Sequence, residues 1–189
     1  VGLFIPASLI AATMPGAGPD HARLARMAPH LAMHGVMVPD EGPGVVRRGF
    51  GREPFVTYRM STRDRAAMFE GIRTVADSFF AAGAKEIFLP VLGAPSFDAD
   101  SYRRFELETV PGRRIECSSQ HPLGSCQMGA TASESGVDGD GKLWDLDNLY
   151  VVDGSVMPTS LGVNPQLTIM AMSTRIAHKL RDKFRSLPC

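Results

Sequence analysis

Residues 148–180 constrain the fold more than any other stretch of this chain. They read NLYVVDGSVMPTSLGVNPQLTIMAMSTRIAHKL. Leu149, Tyr150, Val151 and Val152 form a short apolar run of β-branched and aromatic residues, the composition of a buried strand. Asp153-Gly154 breaks that run, and Pro158 and Gly162 punctuate the loop beyond it. Asn164-Pro165 then predicts a helix start, with Asn as N-cap and Pro in the first turn. Ile169, Met172, Ile176 and Leu180 follow at spacings of three and four, one apolar stripe. The order is therefore strand, glycine-containing loop, helix. The helix mouth would offer free N–H groups and about half a positive charge, a setting for an anion or a ring that becomes anionic. On periodicity alone, an ordinary βα unit of a buried sheet explains the same pattern.

The rest of the 189-residue chain is read against that unit. Its 44% hydrophobic and 21% charged residues are enough for one sizeable domain or parts of two. Twenty basic and 20 acidic residues give a formal charge of zero, so nothing points to nucleic acid or an acidic membrane surface. Arg175, Lys179, Arg181, Lys183 and Arg185 crowd the end of the last helix, where cations complement the helix dipole. Cys117, Cys126 and Cys189 have no CxxC spacing. This odd set argues against a disulfide framework or a zinc site and for a reducing, cytoplasmic compartment. The opening VGLFIPASLIAAT is apolar but short, broken by Pro6 and without a cationic lead. It predicts a buried segment or pocket wall, not a membrane span or signal peptide. The lack of an initiator Met fits a fragment or a processed product.

Residues 14–26 read as a Pro/Gly-containing connection. Residues 31–38, 45–50 and 55–60 predict short antiparallel strands separated by turn residues, the second with a wet face at Arg47-Arg48. Residues 61–83 predict a helix with Ser61 as cap, Asp64 three residues on, an apolar stripe of Met68, Ile72, Val75 and Phe79, and Gly83 as the stop. Residues 86–92 resemble a strand, 101–108 a short polar helix, and 142–145 a strand paired with 148–152.

Several motifs fail on inspection. Gly-x-Gly pairs begin at Gly16, Gly42, Gly49 and Gly139, but none completes GxGxxG. Residues 136–142 match GxxxxGK, yet Leu143 replaces the magnesium-binding hydroxyl residue. The sequence Pro158-Thr159-Ser160-Leu161-Gly162 lacks the first glycine of a nucleophile elbow. Asp138 and Asp140 echo a calcium loop without its remaining ligands, so no metal site is expected. Cys126 and Met128 read as packing residues. The histidines at 21, 30 and 34 are scattered. His121 differs: it precedes Pro122, which favours extended backbone, and Gly124 and Gly129 bracket a loop that lets backbone approach a ligand. A histidine there could shuttle a proton near neutral pH.

Together, HPLGSCQMG (121–129) and LYVVDGSVMPTSLGVNPQLTIMAMSTRIA (149–177) resemble the FAD-dependent glucose–methanol–choline (GMC) oxidoreductases, specifically their C-terminal part. The form of the motifs looks nearest the long-chain alcohol oxidase and bacterial alcohol or sterol dehydrogenase branches. The resemblance implies an α+β fold. Residues 1–119 would form an antiparallel-sheet substrate domain carrying the 61–83 helix. Residues 120–189 would form the C-terminal strand–loop–helix portion of an α/β FAD-binding domain. It implies His121 over the flavin near the substrate carbinol, with Asn164 as its partner. Asp153 and Gly154 would contact the ribityl and phosphate part of FAD. Pro165, Gln166 and Thr168 would meet the isoalloxazine ring. The expected partners are an alcohol and an electron acceptor, oxygen or another. The family's ADP-binding fingerprint would lie on an N-terminal segment, without which this stretch should not hold FAD tightly. The competing reading is a non-catalytic fragment or paralogue acting as a binding or assembly module. Phe4, Leu9, Met27, Met33 and Met37 would suit an apolar alcohol, and an ordinary core at least as well.

Overall fold

In chain order the described residues form α1 (Gly18–Arg26), β1 (Gly44–Arg48), β2 (Pro54–Tyr58), α2 (Thr62–Ala81), α3 (Ala99–Arg103) and α4 (Gln166–Arg185). Short 3₁₀ turns at Ala28–His30, Leu107–Thr109, Gly112–Arg114 and Gly154–Val156 complete the set. The structure, a computed structural model, describes Met14 and residues 16–186. The opening segment with Phe4 and Leu9, and Cys189, lie outside the described residues. The contact pattern divides the chain into two units: Val1–Val38 with Thr62–Ser118, and Pro39–Ser61 with Ser119–Cys189.

In the first unit α2 is the central element. Its apolar positions recur at helical spacing, and Phe69, Ile72 and Ala76 are buried. Phe69 and Ile72 pack with Val91, Leu107, Val110 and Ile115; Ala76 packs with Ile87, Phe97 and Tyr102. The buried line is thus rotated slightly from the predicted one, since Met68 and Phe79 sit at its edges. Asp64, the expected capping-box residue, is only 3% exposed. Gly83 ends the helix as expected, with φ of +91°. Its N–H bonds to the Phe80 carbonyl at 3.0 Å and the Ala84 N–H to the Phe79 carbonyl at 2.9 Å, closing the carbonyls that a helix end leaves open.

Several expected strands are absent among the described residues. Residues 31–38 form no strand, only a single bridge residue at His34; Val36, partly buried, packs onto α2 beside Gly71. Residues 86–92 make only single bridges, Ile87 to Phe97 and Val91 to Ile115; the Asp98 cap of α3 follows Phe97 at once, and the Gly112–Arg114 turn leads into Ile115. The stretch expected as connection at 14–26 contains α1. Proline stands in its first turn, Asp20 near its start, and Arg23 and Arg26 near its end, which suits the helix dipole. The polar helix expected at 101–108 is α3, shifted earlier. Asp98 caps it, accepting from Ser101 N at 2.8 Å.

In the second unit β1 and β2 pair antiparallel with Val46 opposite Val56. The expected hairpin forms, but every residue of both strands is exposed, so neither face is dry. The expected strand at 148–152 is a single bridge from Tyr150 to Lys142. Its neighbours still bond, Leu143 N to Leu149 O at 3.0 Å and Val151 N to Gly141 O at 2.8 Å. The ladder stops there because Asp138 folds the partner segment into a tight turn, accepting from the N–H groups of Asp140 and Lys142. Among the described residues the architecture is mixed helix and strand with one small antiparallel sheet. No helix among the described residues is long and apolar enough to cross a membrane.

Candidate active site

Three sequence-distant segments of the second unit meet at Gly154. A Cβ built there would lie 3.0 Å from Ile169 Cδ1, 3.1 Å from Leu123 Cδ2 and 3.4 Å from the Pro122 carbonyl oxygen. The residues after His121, the turn after Asp153 and the first turns of α4 therefore close on one point. The space is tight: a side chain there would make Ile169 and Leu123 give by a few tenths of an ångström.

Backbone bonding carries the contact along the loop. Cys126 N donates to Ser155 O at 3.0 Å, and Met128 N to Val156 O at 2.9 Å. Beneath these rungs Val137, Val156 and Met157 form a buried cluster, packed by Leu123, Cys126, Met128 and Met172. Cys126 and Met128 thus serve in packing. Helix α4 is tied to the same floor. Ile176 is fully buried, and Ser173 Oγ donates to Val152 O at 3.1 Å. Arg175 donates to Gly139 O at 2.6 Å and pairs with Asp140 at 3.0 Å. The stripe of Ile169, Met172, Ile176 and Leu180 faces inward as expected.

Asp153 is extended, with φ of −140° and ψ of −170°. Its Oδ1 accepts from Ser155 N at 2.8 Å and from Ser155 Oγ at 2.5 Å. These bonds hold its carboxyl below the usual carboxylate range, against the opposing effect of burial. The second oxygen accepts nothing among the described residues. The first turn of α4 carries no acidic residue and no side-chain cap. Here the expectation is corrected. The helix starts at Gln166, with Pro165 as its N-cap in right-handed helical conformation (φ −84°, ψ −2°). Pro165 is fully buried, which fixes the chain entering the helix. Asn164 is exposed and precedes that N-cap, so the capping position expected of it is held by Pro165. His121, Gln166 and Thr168 are also exposed. His34, one of the scattered histidines, stacks on Phe79 at 5.1 Å and belongs to the first unit. Sequence reasoning passed over Ser155, although Asp-x-Ser at a strand end is the signature of a side chain folding back on its own turn.

A family model described as GMC oxidoreductase matches residues 52–173, well over half of the chain. The chain belongs to the GMC oxidoreductase family. Among its GMC relatives is an uncharacterised GMC-type oxidoreductase of Mycobacterium tuberculosis, 32% identical over 172 residues, covering 91% of this chain and 27% of that protein. A long-chain-alcohol oxidase of Arabidopsis thaliana is 31% identical over 174 residues, covering 85% of this chain and 22% of the oxidase. The crystal structure of pyridoxine 4-oxidase from Mesorbium loti matches with a TM-score of 0.52 and 26% identity. That match covers 74% of this chain and 27% of the other. The chain thus spans roughly a quarter of the length of these GMC relatives.

Proposed function

We propose that this chain forms the C-terminal part of an FAD-dependent oxidoreductase acting on the CH–OH group of an alcohol, giving an aldehyde or ketone. On this reading residues 1–119 serve the substrate side and 120–189 complete the FAD-binding domain. The observation that carries it is the closure of the 121–129 loop, the Asp153-Gly154 turn and the start of α4 on one point, in a GMC family member.

The residues present fit the cofactor. Oδ2 of Asp153, which accepts nothing among the described residues, would accept from a hydroxyl of the ribityl chain, and Gly154 keeps the approach narrow. The uncapped first turn of α4, entered through Pro165, presents the backbone N–H groups of Gln166, Leu167 and Thr168, suited to negative charge on a ring. FAD, when bound, supplies the hydride acceptor. His121 accepts the hydroxyl proton as the hydride departs, or stabilises the developing alkoxide. Asn164 orients the alcohol oxygen, and as an amide it does not compete for the proton. On this reading Asn164, exposed and not the N-cap of α4, turns its carboxamide to that task.

The test is His121→Ala in the protein loaded with FAD. Rapid mixing with alcohol should show flavin reduction slowed by roughly 10²–10⁴-fold, the usual contribution of a positioned acid–base group, with FAD retained. Unchanged reduction removes His121 from the mechanism. Oxygen consumption then separates an oxidase from a dehydrogenase that uses another acceptor.

A further inference from the structure

Ser155 has no place in the mechanism so far, yet it makes three of the bonds that define the site. Its N–H and its Oγ both donate to Oδ1 of Asp153, at 2.8 and 2.5 Å. Its carbonyl accepts from Cys126 N at 3.0 Å, five residues beyond His121. We propose that Ser155 is a positioning residue, which fixes the Asp153 carboxylate with one oxygen open toward the cofactor and joins that carboxylate to the loop carrying His121. This rests on the cofactor reading above, in which Asp153 meets the ribityl chain.

The geometry argues for orientation beyond mere folding. Two donors on one oxygen fix both the tilt and the rotation of a carboxylate, where a single donor leaves it free to swing. A hydroxyl donating to an ionised carboxylate is a charge-assisted bond, stronger than a neutral one. With Oδ1 occupied, Oδ2 is the remaining acceptor. Ser155 lowers the Asp153 pKa through both its hydroxyl and its N–H, against the opposing effect of burial. The turn has little slack, because Gly154 is enclosed by Leu123, Pro122 and Ile169. A shift of Ser155 is therefore passed to the 121–129 loop through the Cys126 and Met128 rungs.

Three variants test this: Ser155→Ala, Ser155→Thr and Asp153→Asn. Without flavin, carbon NMR should show the Asp153 carboxyl titrating higher in Ser155→Ala and still low in Ser155→Thr, which keeps the hydroxyl. Amide exchange at Cys126 and Met128 should quicken in Ser155→Ala alone. With flavin, Ser155→Ala and Asp153→Asn should each weaken FAD binding about tenfold or more, the equivalent of one charge-assisted hydrogen bond, and Ser155→Thr should restore it. An Asp153 titration unchanged in Ser155→Ala overturns the proposal. So does Ser155→Ala binding FAD as the wild type does while Asp153→Asn binds it weakly. If instead Asp153→Asn binds FAD normally, the cofactor assignment of Asp153 falls, and this inference with it.

Discussion

At Gly141 the backbone has φ of +80°, and a Cβ there would sit 2.7 Å from the Val151 carbonyl oxygen and 2.9 Å from Ile176 Cδ1. Both the conformation and the space exclude a side chain. Two residues earlier, a Cβ at Gly139 would meet nothing within 4 Å. Gly141→Ala should therefore lower unfolding free energy by about 1–3 kcal/mol, and Gly139→Ala by less than about 0.5 kcal/mol, in urea titrations. At this scale the sequence was informative where a residue type carries its own chemistry. The resemblance of their motifs marks His121 and Asn164 as candidates. The capping role expected of Asn164 was not realised, because Pro165 is buried and starts the helix itself. Ser155 was passed over because its role depends on what its hydroxyl touches, which spacing alone does not state.

Among elements, α4 shows why helices were legible and strands less so. A helix bonds within its own segment, so Ile169, Met172, Ile176 and Leu180 announce their shared face by period alone. A strand bonds to a partner that may lie anywhere in the chain. The runs at 86–92 and 148–152 have strand composition, but their partners turn after one or two residues and leave single bridges. The run at 31–38 packs a partly buried Val36 against α2 instead. The same contrast between inner and outer positions predicts mutational costs. Ile176 is fully buried, whereas Leu167 is 76% exposed. Ile176→Ala should cost about 2–5 kcal/mol and Leu167→Ala within about 0.5 kcal/mol, measured by chemical denaturation.

Across the whole molecule, carboxylates dominate the response to acid. Asp98, Glu108, Asp147 and Asp153 all titrate below their ordinary values of 3.8 or 4.5. Hydrogen bonds are the first cause in each: from Ser101, Arg73, Lys142 and Ser155 respectively. A carboxyl group lowered on folding adds stability above its unfolded pKa, and that stability disappears as pH falls through the folded value. Melting temperature should therefore be flat near neutrality and fall once pH drops below about 4.5, as thermal circular dichroism would register. A melting temperature that rises on acidification contradicts this assignment.

One last consequence is colloidal. Val46 and Val56 face each other across the hairpin at 56% and 61% exposure, and Phe50 in the bend is 102% exposed. Oily side chains exposed on both strands of a hairpin attract further copies of themselves. Concentrated solutions should scatter light accordingly. Val46→Lys with Val56→Glu, a complementary cross-strand pair, should suppress that scattering while leaving helical circular dichroism unchanged.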